Sequence, residues 1–209
     1  MDNLLAPIGA FNNQLPVKIR FSEGISDTLP EVIKEVDSKK VFLMVDEGIE
    51  KFNPAAAALI KKLQGACDVT LFEKPAGEPT IQMVDDATSA LKSSGADSVI
   101  ALGGGSVIDT AKAARLCAQL NTSFREFTSK APVYPEPTIP LVALPTSSGT
   151  GSEVSGGSVI SDPQAGRKAG IANGYLRAQI ALVDPVLTYS MPPTMTANVG
   201  IDALAQAIA

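Results

Sequence analysis

The 209-residue chain contains no histidine and no tryptophan, and its only cysteines are Cys67 and Cys117. Without histidine there is no Ser-His or Cys-His nucleophile, and the commonest nitrogen ligand of transition metals is missing. Two cysteines far apart in sequence form neither a CxxC redox pair nor a metal knuckle, so they read as buried free thiols. No apolar run approaches the length that crosses a bilayer, and the segment from Met1 to Pro16 has no basic region followed by a continuous apolar stretch. A cytoplasmic location is therefore expected. Basic residues number 17 against 22 acidic ones, a formal charge of −5. Binding a nucleic acid or an anionic membrane over a broad surface requires clustered Lys and Arg, so neither is expected as a partner. Any phosphate bound by this chain is held locally.

The chain is nonetheless rich in small and aliphatic residues: 45% is hydrophobic, whereas aromatics make up only 5%. That balance suits buried parallel strands, and the length is sufficient for a sizeable core. Short β-type runs alternate with helical patterns: Val17 to Phe21 then Leu29 to Val36; Lys40 to Val45 then Pro54 to Leu63; Asp68 to Phe72 then Ile81 to Ser93; Ser98 to Leu102 then Ser106 to Leu120. A proline-rich passage leads to a further strand, Leu141 to Leu144. Strand-like pieces at Gly157 to Ser161 and Gln179 to Val183 flank a polar, hairpin-like region around Asp162 to Gly166. Helical spacing resumes at Thr194 and runs to Ala209 with no stop signal. The expected fold is α/β, with a mostly parallel, Rossmann-like sheet, flanking helices, and a ligand crevice at the carboxyl ends of the strands.

Gly103-Gly104-Gly105-Ser106 sits at such an end, between the apolar run Val99 to Leu102 and a helix. A glycine turn lets backbone approach a bulky anion, and the free N–H groups and dipole of the following helix favour a pyrophosphate. The pattern departs from the usual dinucleotide fingerprint, because Ile108 stands where a third glycine belongs. The competing reading is a tight turn with Ser106 as N-cap and Asp109 completing a capping box. Pro145-Thr146-Ser147-Ser148-Gly149-Thr150-Gly151-Ser152-Glu153 is a second strand-end loop, whose hydroxyls suit phosphate or ribose oxygens or else bond their own backbone. Asp46 ends the run Val41 to Val45, the usual place for an acid that takes an adenosine ribose and repels a 2′-phosphate; capping of the next turn is the alternative. Asp202 and Gln206 share one helix face at i, i+4, a spacing for two metal ligands, although an amide is a poor ligand and, judged alone, the pair reads better as a polar stripe on an amphipathic helix.

Together these motifs resemble the iron-containing (group III) alcohol dehydrogenase family. The resemblance is carried by Gly103-Gly104-Gly105-Ser106-x-x-Asp109-x-Ala111-Lys112, the loop Pro145 to Glu153, Val183-Asp184-Pro185, Met191-Pro192-Pro193, and Gly200-Ile201-Asp202-Ala203-Leu204. It implies hydride exchange between an NAD(P) cofactor and an alcohol, aldehyde or ketone whose oxygen sits on Fe²⁺ or Zn²⁺. By position it assigns Gly103, Gly104, Gly105 and Ser106 to the pyrophosphate and Asp46 to the adenosine ribose. Thr146, Ser147 and Thr150 fall on the phosphate and nicotinamide side. Asp109 belongs to the same cofactor motif, Lys168 falls where a family lysine approaches the cofactor, and Asp202 matches the first metal ligand. NAD is expected over NADP because of Asp46.

The resemblance also implies two parts: residues 1–193 as the cofactor-binding α/β domain and 194–209 as the start of a truncated helical metal-binding domain. Gln206 stands where the family places a histidine, so the metal site is expected to be incomplete, tight iron or zinc binding is not expected, and no catalytic residue is assigned. The expected function is that of the cofactor-binding half of an alcohol dehydrogenase, without turnover alone. A non-catalytic nucleotide-binding or interaction module is the alternative. Family relatives imply self-association, or pairing with the missing helical domain.

Overall fold

The computed structural model describes residues 15–208. Strands and helices alternate from the start: β1 (Lys18–Phe21), α1 (Leu29–Glu35), β2 (Lys40–Asp46), the single turn α2 (Ile49–Phe52), α3 (Pro54–Gln64), β3 (Asp68–Lys74), α4 (Ile81–Ser94), β4 (Ser98–Gly103) and α5 (Gly105–Leu120). The second half holds β5 (Leu141–Pro145), β6 (Gly157–Asp162), β7 (Arg167–Ala172), β8 (Ile180–Val183) and α6 (Pro193–Ile208). Helix starts carry local signals. Asn53 accepts the Ala56 amide at 3.0 Å with Pro54 as the first helical residue of α3, and Thr80 accepts the Met83 amide at 3.3 Å to begin α4.

Six strands form one all-parallel sheet in the order β1-β8-β5-β4-β2-β3. Central strands β4 and β5 are buried along their whole length, as expected for a parallel sheet covered on both faces. One core packs α4 and α5 against Phe42, Met44, Val99, Ala101, Leu141 and Ala143. The other packs α1 and α3 against the alternate residues Val41, Leu43, Val45, Ile100, Leu102 and Val142. Cys117 lies in the first core, where burial pushes its thiol up to about 12, which makes it inert as a nucleophile; Cys67 is half-buried.

Chain direction across the sheet reverses between β2 and β4. From β2 the chain moves outward to β3 past α3 on one face, whereas from β4 it moves to β5 past α5 on the opposite face. This is a topological switch point, and the carboxyl ends of its two strands carry Asp46 and Gly103.

Three features differ from the sequence-based expectations. The hairpin is formed by β6 with β7, antiparallel from Gly157↔Ala172 to Asp162↔Arg167, whereas β8 belongs to the main sheet, parallel to β1 and β5. Strand β7 carried no apolar alternation to reveal it, since Ile171 is its only buried residue. The capping box is absent: α5 begins at Gly105 with Gly104 as N-cap and no side-chain cap, and Asp109 turns to the β6 backbone instead. Its first turn carries no side-chain cap, and the Asp109 carboxylate accepts the Val159 amide at 3.0 Å.

Helix α6 buries none of its residues, and Ile201, Leu204 and Ile208 are exposed. Among the described residues no helix is long and apolar enough to cross a membrane.

Candidate functional site

At the end of β4 the backbone passes from Gly103 directly into α5. The first amides to find an intrahelical partner are those of Val107 and Ile108, both on Gly104 O at 3.0 and 3.2 Å. Gly105 and Ser106 precede them, so their N–H groups are among the orphans of a helix start, with the positive end of the helix dipole behind them. Asp46 closes the other side: its Oδ2 accepts the Gly104 amide at 3.3 Å. It does not cap the turn after β2, whose Gly48 amide is taken by Glu73 Oε1 at 3.1 Å. Burial raises the Asp46 carboxyl above its ordinary range, and the Gly104 amide and the Lys74 charge act in the opposite direction.

Gly103 and Gly105 are sterically required, whereas a Cβ on Gly104 would meet only Ser147 Oγ at 3.4 Å. A Cβ on Gly103 would lie 2.5 Å from Val107 Cγ2 and 2.9 Å from Asp46 Oδ2. On Gly105 it would lie 2.6 Å from Thr150 Oγ1, pushing the hydroxyl loop off the helix start. Gly103→Ala is accordingly expected to destabilise the fold by about 1–3 kcal/mol, as overpacking of a buried site does, whereas Gly105→Ala acts on the cleft. Thermal unfolding with and without ligand separates the two: a Gly103→Ala protein as stable as the wild type would mean that Val107 yields.

Two adjoining cavities open at this point, sharing Gly77, Gly105, Ser106 and Thr150. The first, about 490 Å³, is bordered by Asp46, Gly104, Thr146 and Ser147, with an apolar wall of Phe52, Met191, Pro192, Met195 and Val199. Hydroxyls and open amides on one side and thioether and aliphatic carbon on the other suit a ligand with both a charged and an aromatic part. The second, about 620 Å³, brings Asp109, Lys168, Asp202 and Gln206 to the same space. Of the candidate residues read from the sequence, only Gly103 lines neither cavity; it forms the strand end beneath them.

The hydroxyl loop is partly self-satisfied. Thr150 Oγ1 donates to Ser152 Oγ at 3.0 Å and accepts the Ser152 amide at 3.2 Å. The loop is anchored at its start by the Thr146 amide on Gly103 O at 3.0 Å. Across the second cavity Lys168 Nζ donates to Glu78 Oε1 at 2.9 Å and Ser161 Oγ to Glu78 Oε2 at 3.0 Å, which ties the hairpin to the turn before α4. The lysine holds the Glu78 carboxyl below its ordinary range.

Asp202 and Gln206 face each other on α6, with Gln206 Nε2 donating to Asp202 Oδ2 at 2.9 Å. Both are exposed, and among the described residues no group of three His, Cys, Asp or Glu side chains is placed to hold a metal ion. Asp202 is here one carboxylate whose neighbour at i+4 is an amide, a weak ligand for iron or zinc.

Sequence reading missed the turn before α4, which gives Ala76 and Gly77 to the cleft, and the buried cation Lys74 that builds it. Lys74 Nζ donates to Pro75 O at 2.6 Å and to Gly77 O at 2.9 Å. Burial lowers its pKa, and Asp46 and Glu47 oppose that shift. A lysine flanked by glutamate and proline reads as solvated, and nothing in the local pattern marks it otherwise.

The same architecture occurs in known proteins. Residues 16–185 match the family described as iron-containing alcohol dehydrogenase. A probable alcohol dehydrogenase, EutG, of Escherichia coli K12 is 39% identical over 170 residues, covering 81% of this chain and 43% of the relative. Sulfoacetaldehyde reductase of Bilophila wadsworthia is 30% identical over 199 residues, covering 95% of this chain and 51% of that protein. Among solved structures, sulfoacetaldehyde reductase from Bifidobacterium kashiwanohense in complex with NAD+ superposes with a TM-score of 0.88 at 31% identity, over 96% of this chain and 53% of that one. NADH-dependent butanol dehydrogenase A from Thermotoga maritima gives 0.87 at 25% identity, over 95% of this chain and 50% of that one. The chain thus spans about half the length of the curated relatives it matches. With the family match covering the sheet, the glycine turn and the hydroxyl loop in one continuous stretch, this chain belongs to the iron-containing alcohol dehydrogenase family.

Proposed function

We propose that the chain binds NAD across the two adjoining cavities, and that it supplies the cofactor-binding half of an NAD-dependent alcohol dehydrogenase. The observation that carries this reading is the uncapped start of α5 at the switch point, with Asp46 beside it. A pyrophosphate meets the Gly105 and Ser106 amides, where backbone dipoles rather than cations balance its charge. Asp46 Oδ1 and Oδ2 lie on the side suited to ribose hydroxyls, which donate to a carboxylate. Thr146, Ser147 and Thr150 offer neutral donors and acceptors along the phosphates and towards the nicotinamide, and Met191, Met195 and Val199 exclude water from the apolar wall. Lys168, Asp109 and Ser106 border the second cavity, the side on which a substrate alcohol or carbonyl approaches. Bound NAD supplies a hydride acceptor there, and NADH a donor.

The relative solved with NAD+ and the butanol dehydrogenase named for NADH support the choice of cofactor. With Asp202 hydrogen-bonded by Gln206, tight binding of iron or zinc by the isolated chain is not expected. The isolated chain is expected to bind NAD and not to turn over. The exposed apolar residues of α6 favour association through that helix, with the helical half that the family resemblance implies or with a second copy.

Isothermal titration with NAD, with and without Fe²⁺ or Zn²⁺, beside an absorbance assay for NADH with a primary alcohol or short diol, tests this. The expected result is metal-independent binding without NADH formation. A well-folded chain that gives no heat with NAD removes the proposal, and metal-dependent turnover shows that Gln206 or an associated chain completes a metal site.

A further inference from the structure

Lys112 has no part in the reading above, yet its side chain is fully buried inside α5. Lysine is almost never fully buried unless paired, because an ammonium removed from water needs compensation. Its Nζ donates to Gly157 O at 2.8 Å and to Ser155 Oγ at 3.2 Å, and lies 3.6 Å from Asp109 Oδ1 one turn earlier. Asp109 grips the same segment: Oδ2 accepts the Val159 amide at 3.0 Å, and its main-chain oxygen accepts Ser158 Oγ at 2.9 Å. Asp109 Oδ1 is buried with no hydrogen-bond partner, so the Lys112 charge is what compensates it.

The two residues therefore clamp the entry of β6 onto the helix whose first turn opens on the cleft. Ser155, Gly157 and Val159 border the 620 Å³ cavity, and the hydroxyl loop runs between this clamp and the Thr146 amide anchored on Gly103 O. Both ends of the loop are fixed relative to α5, which sets the spacing between the helix amides, the hydroxyls and the β6 wall.

We propose that Lys112 is a positioning residue for the dinucleotide: without touching it, Lys112 fixes the hydroxyl loop and the start of β6 at the spacing that a cofactor across both cavities needs. The inference rests on the proposed NAD binding, but its direct readout does not. Burial brings the Lys112 pKa down to about 8; Asp109 on its own helix and Glu153 on the loop oppose that shift, and Arg115, one turn on, adds to it. As pH rises through about 8 the ammonium loses its charge, and with it the attraction to Asp109 and Glu153.

The test compares wild type with Lys112→Met, which keeps the length and removes the charge, and with Ser155→Ala, which removes one anchor at a partly exposed position. Amide hydrogen exchange over residues 152–160 is measured on the unliganded chain, and NAD is titrated from pH 7 to pH 9. Both variants are expected to exchange these amides about tenfold faster, consistent with local opening of a weakly held segment. The dissociation constant for NAD is expected to rise about tenfold in Lys112→Met and about threefold in Ser155→Ala. Wild-type affinity is expected to fall between pH 7 and 9, while Lys112→Met shows no such fall. Unchanged exchange in both variants overturns the inference. So does a Lys112→Met protein that is merely less stable overall while Ser155→Ala matches wild type in exchange and affinity. Faster exchange in a chain whose wild type binds no NAD overturns the dinucleotide reading instead and leaves the clamp supported.

Discussion

Replacing Asp184 with asparagine is expected to destabilise the chain by about 3–5 kcal/mol, among the largest effects a single substitution has. Asp184 is buried, and each carboxylate oxygen takes two donors. Oδ1 accepts the amides of Gly24 and Val186, both at 3.0 Å, and Oδ2 accepts the Ser26 amide at 3.0 Å and the Ser26 hydroxyl at 2.5 Å. An asparagine NH₂ turned towards Gly24 and Val186 strands two amides; turned towards Ser26 it strands the Ser26 amide, while the hydroxyl must reverse to accept, and in either case the charge that four donors shared is gone. Each buried donor left without its acceptor costs about 1–3 kcal/mol, more where the lost acceptor was charged. The change should lower the midpoint temperature by roughly 6–20 °C for a chain of this size. Equilibrium unfolding in urea checks it, and a loss below about 1 kcal/mol would show that the Gly24 to Ser26 segment finds other acceptors.

The same carboxylate carries a pH dependence with a definite sign. Burial by itself raises its pKa, but the hydrogen bonds from Ser26, Gly24 and Val186 together outweigh that and hold it below the ordinary aspartate value. A carboxyl with a depressed native pKa binds fewer protons folded than unfolded. Its contribution is thus fully present above the unfolded value, near pH 4, and is lost as pH falls through the native value. Asp184→Asn therefore loses most relative to wild type above pH 4, and the two stability curves converge in acid. Asp184 stands in the Val183-Asp184-Pro185 stretch that carried part of the family resemblance, and its recorded contacts are structural: it ties the turn after β1 to the turn after β8.

Much of this architecture is legible in the sequence for identifiable reasons. Strands β2, β4 and β5 are unbroken apolar runs because both faces of a parallel sheet are covered, and the helices between them show one-sided apolar spacing. The glycine turn stood out because three successive glycines between a strand and a helix have few uses. What escaped detection depends on partners distant in sequence. Ser106 and Asp109 have the spacing of a capping box, but Asp109 finds the Val159 amide, 50 positions on, and leaves the helix start open. Strand β7 has only Ile171 to bury, so pairing with β6 defines it where hydrophobicity does not. Lys74, Lys112 and Arg115 are buried cations held largely by main-chain oxygens; Arg115 donates to Ile139 O, Tyr175 O and Arg177 O as well as to Gln179. A pattern of residue types does not reveal carbonyls converging from separate loops, so such cations read as surface charge.

Replacing Asp46 with serine is expected to shift the ratio of NAD to NADP affinity by about tenfold to a hundredfold towards NADP, or roughly 1.4–2.7 kcal/mol. The carboxylate stands at the carboxyl end of β2, on the edge of the 490 Å³ cavity, and under the proposed mode of NAD binding a 2′-phosphate on the adenosine ribose would meet it directly. Two unit charges 4 Å apart near a protein surface repel by about 4 kcal/mol, so removing one of them leaves room for a change of this size after solvent relaxes. Full reversal is not expected, because Glu47 and Glu73 remain close by, engaged by the amides of Ala76 and Gly48 at 3.2 and 3.1 Å. Affinity for NAD itself should fall, since a serine hydroxyl replaces an ionised acceptor for the ribose hydroxyls. Burial raises the Asp46 carboxyl, so discrimination against NADP in the wild type is full above its native pKa and shrinks as pH falls through it. That pH trend should vanish in the variant, which distinguishes loss of the charge from a general loosening of the Gly104 turn. Parallel titrations with NAD and NADP decide the matter: a folded Asp46→Ser protein with an unchanged affinity ratio would mean that the adenosine ribose lies elsewhere than beside β2.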